Sequence, residues 1–150
     1  MNDEEYHACV LPPLSPTMWG ELCFCFDLDF SMGEISAIIG VQPTKAKRRR
    51  ECSWNFYEGV QNPGYWMLEF CKTDTFDSDE VQAVMHSFIE EHRNKLLEVV
   101  ERFKPNTTFL RIYTVVHQDG EYPAIRLEPL FIRDAQLLNA SIDIIVENDY

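Results

Sequence analysis

Within the stretch ELCFCFDLDF, Cys23, Cys25, Asp27 and Asp29 fall on alternate positions, which on a strand places two thiols and two carboxylates on one face. Thiolates and carboxylates are metal-ligand chemistry. Residues two apart along a strand are about 6.6 Å apart, however, so the four cannot all reach one ion, and a zinc site would need Cys52 or Cys71 to complete it. The reading therefore assigns no metal and no cofactor. Two cysteines as small half-buried residues and two aspartates at the strand's open end account for the pattern.

The four histidines add no ligand pair. His86 and His92 are six residues apart and lie on different faces of a helix, His7 is close to the N-terminus and His117 adjoins a turn. No phosphate loop, nucleophile elbow, Cys-x-x-Cys or His-Glu-x-x-His motif is present. The chain reads as a binding protein and not an enzyme. The alternative is a small enzyme or a ligand- or metal-binding domain with a pocket between a sheet and the N-terminal arm.

Charge is the stronger signal. The formal net charge is −12, yet Lys45, Lys47, Arg48, Arg49 and Arg50 fall within six positions of the stretch PTKAKRRREC. Residues 1–44 hold seven acids and no base, and residues 51–150 hold eighteen acids against eight bases. A field of that sign repels phosphate backbones and anionic lipids and attracts basic proteins, so neither nucleic acid nor membrane is expected as a partner. Asp74, Asp77, Asp79 and Glu80 cluster before a long helical pattern, Asp119 and Glu121 share a turn, and Asp143 and Glu147 lie close to the C-terminus. These acids are the candidate partner-binding residues. Lys47, Arg48, Arg49 and Arg50 join them as a basic loop able to meet acids on the same partner.

A length of 150 residues suits one domain with its own core, and 45% hydrophobic with 25% charged residues is ordinary globular composition. Five cysteines without repeating spacing and an N-terminus lacking a signal-peptide pattern point to a reducing cytoplasm. The longest apolar runs are far short of the roughly 20 residues needed to span a bilayer.

Residues 1–20 read as an extended arm, because Pro12, Pro13 and Pro16 deny both helix and ladder, and residues 21–150 as one domain. In ELCFCFDLDF, Leu22, Phe24, Phe26, Leu28 and Phe30 alternate as the apolar face of a strand. Ser31 and Glu34 form a capping-box pattern for a short helix that Gly40 stops. CSWNFYE and YWMLEF, joined by GVQNPG, predict a hairpin. Val81, Val84, Met85, Phe88, His92, Leu96, Val99, Val100 and Phe103 then recur at helical spacing, which predicts one helix of about 25 residues. TFLRIYTVV and YPAIRLE predict strands, PLFIRDAQLLNA a helix and SIDIIVE a last strand. The order is α+β: a ferredoxin-like split βαβ core (β-α-β-β-α-β) extended by β-α-β, a mixed, mainly antiparallel sheet with helices on one face.

With these elements placed, FDLDFSMGEISAIIGVQPTKAKRRRE resembles the opening of bacterial domain-of-unknown-function family 4279: a strand, a short helix, an apolar-Gly-apolar-x-Pro-Thr turn and a basic segment. Trp66, the helix end KLLEVVERF and the terminal LEPLFIRDAQLLNASIDIIVEND are similar to that pattern in order and spacing, over about residues 22–147. Gly40, Pro43, Thr44 and Trp66 are its sharpest points. The family's Lys/Arg-Gly-acidic turn is replaced here by Arg49, Arg50 and Glu51. The resemblance implies a compact α+β domain, and some members of such families serve as immunity proteins that neutralise a delivered bacterial toxin. The expectation is a cytoplasmic immunity-type protein that inhibits a cognate, basic toxin by protein–protein contact. An exposed sheet edge would also allow a homodimer.

Overall fold

The computed structural model describes residues 14–48 and 64–150. In chain order the elements are β1 (Thr17–Phe26), α1 (Met32–Ile39), β2 (Lys45–Lys47), β3 (Gly64–Asp74), α2 (Ser78–Glu91), α3 (Arg93–Phe103), β4 (Thr107–Val116), α4 (Pro129–Leu137) and β5 (Ser141–Asn148). The sheet order is β2-β3-β1-β4-β5; all neighbours are antiparallel except β4 and β5, which are parallel. The first four strands thus have the ferredoxin-like arrangement, and β5 extends the sheet after the α4 crossover.

Alternation in β1 decides which face is covered. Met18, Leu22, Phe24 and Phe26 point to the helices and are buried with Trp66, Leu68, Leu110 and Ile112 of the neighbouring strands. Val81, Met85 and Ile89 of α2, Leu96 and Val99 of α3, and Phe131 and Ala135 of α4 close over them. Gly20 is where α2 lies closest: a Cβ there would stand 2.2 Å from Met85 Sδ. The fully buried Trp66 donates its indole N–H to Ser36 Oγ at 3.1 Å, which ties β3 to α1.

Local sequence signals explain several element ends. Ser31 Oγ accepts the Glu34 N–H as N-cap of α1, and Gly40 ends that helix at φ 86°, donating its N–H to Ser36 O. Lys104 at φ 47° ends α3 just before Pro105. Thr44 receives the Glu69 N–H on its hydroxyl and donates its own N–H to Met67 O, which fixes β2 against β3.

Several expectations change in detail. β1 begins at Thr17, inside the stretch read as an arm; its ladder ends at Phe26, so Leu28 is exposed. Lys45–Lys47, read as part of a loop, is a strand that ends the sheet order among the described residues, with its exposed lysines flanking the inward-packed Ala46. The CSWNFYE strand falls outside the described residues. The single long helix is two: His92 adopts φ −106°, ψ 17°, its Nδ1 lies 2.9 Å from Phe88 O and its ring stacks on Phe88, so the chain bends between α2 and α3. Val84, assigned to the apolar stripe, is exposed.

Residues 122–128 form no strand. Pro123 lacks an N–H, and the Arg126 carbonyl and Glu128 N–H are taken by the Gln82 side chain, leaving β5 to pair with β4.

Candidate functional site

Strand direction gathers the acids. β1 starts at Thr17 where β3 ends at Asp74, β4 ends at Val116 and β5 at Asn148. The segments leaving that end of the sheet carry Asp74, Asp77, Asp79, Glu80, Asp119, Glu121 and Glu147, joined by Asp149. Residues spread over 76 positions of sequence therefore face one end of the molecule. Asp143, the third residue of β5, lies mid-sheet instead, opposite Arg111. Lys47 pairs with Tyr65 near the start of β3, at the opposite end, and the half-buried Arg48 follows it. Arg49 and Arg50 lie outside the described residues.

The acids differ in what holds them. Asp77 is the N-cap of α2 and accepts the Asp79 N–H at 2.9 Å, so its carboxylate serves the helix as well as the surface. Asp79 and Glu80 project from the first turn, favoured there by the helix dipole. Asp119 sits in the left-handed region at φ 62°, and the Glu121 N–H donates to Leu14 O. The Tyr113 hydroxyl is hydrogen-bonded to Glu147, which pushes its pKa up.

Two residues that sequence reasoning missed complete the patch. Gln82, 1% exposed, donates to Ser78 Oγ at 3.1 Å and to Arg126 O at 2.8 Å, and accepts the Glu128 N–H at 2.8 Å. That clamp places Glu128 against Asp79. The Glu128 carboxyl is pushed above the usual carboxylate range by its hydrogen bond with Asp79 and then by the charge of that neighbour. A groove of about 490 Å³ opens beside the pair, between α2 and the start of α4, lined by Ala83, His86, Ser87, Leu130 and Phe131. Gln82 was detectable as a polar residue within the Ser78/Val81/Met85 stripe; nothing local marked Glu128. Beside the groove His86 Nδ1 lies 2.8 Å from Asp134 Oδ2. Burial pushes the Asp134 carboxyl up, against the opposing pull of His86.

At the same sheet end a row of side chains ties the C-terminal residues down. The Thr17 hydroxyl donates to Asp74 Oδ1 at 2.6 Å, His117 Nε2 lies 2.8 Å from Thr17 Oγ1, and His117 Nδ1 contacts Asp149 Oδ2. Threonine, histidine and aspartate in that order have the spacing of a nucleophile, base and orienting group. The Thr17 proton is directed to Asp74, though, so His117 faces Thr17 as a donor, the reverse of a general base. The row acts as a clasp. The pocket expected between the sheet and the arm involves residues 1–13, which lie outside the described residues.

The face of the sheet turned away from the described helices carries mixed charge. Arg111 pairs with Glu21 at 3.1 Å and with Asp143 at 3.3 Å and lies over the Phe109 ring. Trp19 stacks on Tyr113 with Lys72 above it, and Lys45 pairs with Glu69 at 3.5 Å. Cys23 and Cys25 share this face, whereas Cys71 is exposed at φ 52° four residues beyond Met67 on β3. Among the described residues no three His, Cys, Asp or Glu side chains converge on one point.

This fold is an α+β domain with a five-stranded mixed sheet, and among the described residues no helix is long and apolar enough to cross a membrane. Residues 19–149 match the family model described as Domain of unknown function (DUF4279), and the chain belongs to that family. No curated protein and no solved structure matches it. Gly40, Thr44 and Trp66, which carried the resemblance, are fold residues: a helix cap, a strand junction and a core indole.

Proposed function

We propose that this chain is a bacterial immunity-type protein that acts in the cytoplasm, binding a cognate basic toxin through the acidic end of its sheet and inactivating it by occlusion. The observation that carries this reading is the gathering of acids from β3, α2, β5 and the 119–121 turn at one end of the sheet, where Asp79 and Glu128 line one groove. Like charges held together cost stability unless a cation meets them, and a lysine or arginine of the partner would relieve that repulsion. The field of the other acids at that end accelerates encounter with a basic surface. In this reading the basic stretch that Lys45 and Lys47 open, with Lys47 at the opposite end, adds a second point of contact that helps select the partner.

The test is capture from the native host with nuclease present, at low and moderate salt. A basic protein encoded beside this chain is expected, bound one-to-one and released as salt rises. Glu128→Gln separates binding from folding: removing one of two crowded carboxylates should leave stability unchanged or raised while it weakens capture. Unchanged capture by Glu128→Gln would remove this pair from the interface.

A further inference from the structure

On the sheet face turned away from the described helices, well away from the acidic end, Cys23 Sγ and Cys25 Sγ stand 3.7 Å apart. Met67 pairs directly with Cys23 across the β1–β3 ladder, so its thioether is on the same face, and it is 7% exposed. Residues directly opposite have Cβ atoms about 4.5–5.5 Å apart, within reach of an unbranched methionine. Three sulfur groups thus meet on one patch of sheet.

The two thiols are poorly placed to oxidise together. Same-face neighbours along a strand are about 6.6 Å apart, whereas a disulfide brings Cβ atoms to roughly 3.5–4.5 Å, so closing one would break the β1 ladder. An ion interposed between the sulfurs needs no such movement. Two thiolates each about 2.3 Å from a single ion at a tetrahedral angle are about 3.8 Å apart, which is the separation already present.

We propose that Cys23, Cys25 and Met67 form a binding site for a soft monovalent cation, copper(I). The donor set selects the metal: thiolate and thioether sulfur favour copper(I), while zinc would need further nitrogen, oxygen or thiolate ligands. On binding, Cu⁺ replaces the two thiol protons, leaving a bis-thiolate of charge −1 with the neutral thioether as third ligand and two protons released to solvent. Arg111 supplies the compensating charge. Its Nε–H is buried without an acceptor, and its guanidinium is held on this face by Glu21 and Asp143.

The experiment is anaerobic titration of the full chain with copper(I) against a chromogenic copper(I) chelator, with X-ray absorption at the copper edge. One ion per chain with three sulfur neighbours is expected. Loss of an outer-shell partner costs about 10–100-fold in affinity, so loss of a thiolate ligand by Cys25→Ser should cost at least about 100-fold. Met67→Leu should cost about tenfold and leave two sulfur neighbours, as a neutral donor is the weaker ligand. Both variants keep size and, by circular dichroism, should keep the fold. Cys71→Ser and Cys52→Ser should bind as the native chain does. No bound copper, nitrogen or oxygen neighbours in place of sulfur, or a site lost with Cys71 or Cys52 and retained by Cys25→Ser would overturn the proposal.

Discussion

Gln82→Met isolates the clamp that builds the acidic pair. Methionine is close to glutamine in volume and helix propensity, so the substitution removes polar atoms and little else. Three hydrogen bonds disappear, and Ser78 Oγ, the Arg126 carbonyl and the Glu128 N–H lose a partner at a position only 1% exposed. At about 1 kcal/mol per bond, and more where the abandoned group stays dry, the expected loss is about 2–4 kcal/mol. For a chain of this size that corresponds to a fall in Tm of about 5–12 °C. Urea denaturation followed by circular dichroism measures the loss, and hydrogen exchange at residues 126–128 locates it. A change below about 0.5 kcal/mol, or exchange unaltered in that segment, would refute the clamp and with it the placement of Glu128.

Gly20→Ala forces a methyl group against Met85 Sδ and Cγ and should destabilise by about 1–3 kcal/mol, read as a lower denaturation midpoint; Met85→Ala in the same chain should recover part of it. Asp134 and Glu128 both hold their protons more tightly folded than unfolded, so the folded state binds more protons above their ordinary values of 3.8 and 4.5. Stability should therefore decline as pH rises from those values through the raised ones, and Asp134→Asn should flatten that decline in denaturation measured across pH. His117→Gln should open the clasp on the C-terminal residues, seen as faster hydrogen exchange at residues 148–150 with the helices unaffected.

Periodicity carried much of the fold into view. The strict alternation around Phe24, the Ser31 cap, the Gly40 stop and the helical recurrence from Val81 to Phe103 are local signals, and each names an element that forms. The errors lie where a distant group decides. His92 fits the helical stripe, and only its contact with the preceding turn shows the bend. The 122–128 segment alternates like a strand, but the Arg126 carbonyl and Glu128 N–H are claimed by Gln82, 44 and 46 residues upstream. The acids were visible as three separate clusters, and strand direction unites most of them at one end of the sheet. Glu128 was invisible because its role depends on Asp79, forty-nine positions away. The Cys23/Cys25 pair was legible as a face, while the partner that gives it a chemistry, Met67, emerges only from cross-strand register.

The most direct measurement of the central claim is growth protection. Cells expressing a basic toxin identified by capture from the native host would carry either the native chain or Asp77→Asn/Asp79→Lys/Glu80→Lys, in which asparagine retains the α2 cap while the net charge rises by five units from −12. At equal levels of folded protein, the native chain should restore growth and the variant should not, with association slowed by about tenfold or more at low salt and the difference shrinking as salt rises. Equal protection by the two would contradict the acidic-end account, and no protection by either would contradict the immunity reading itself.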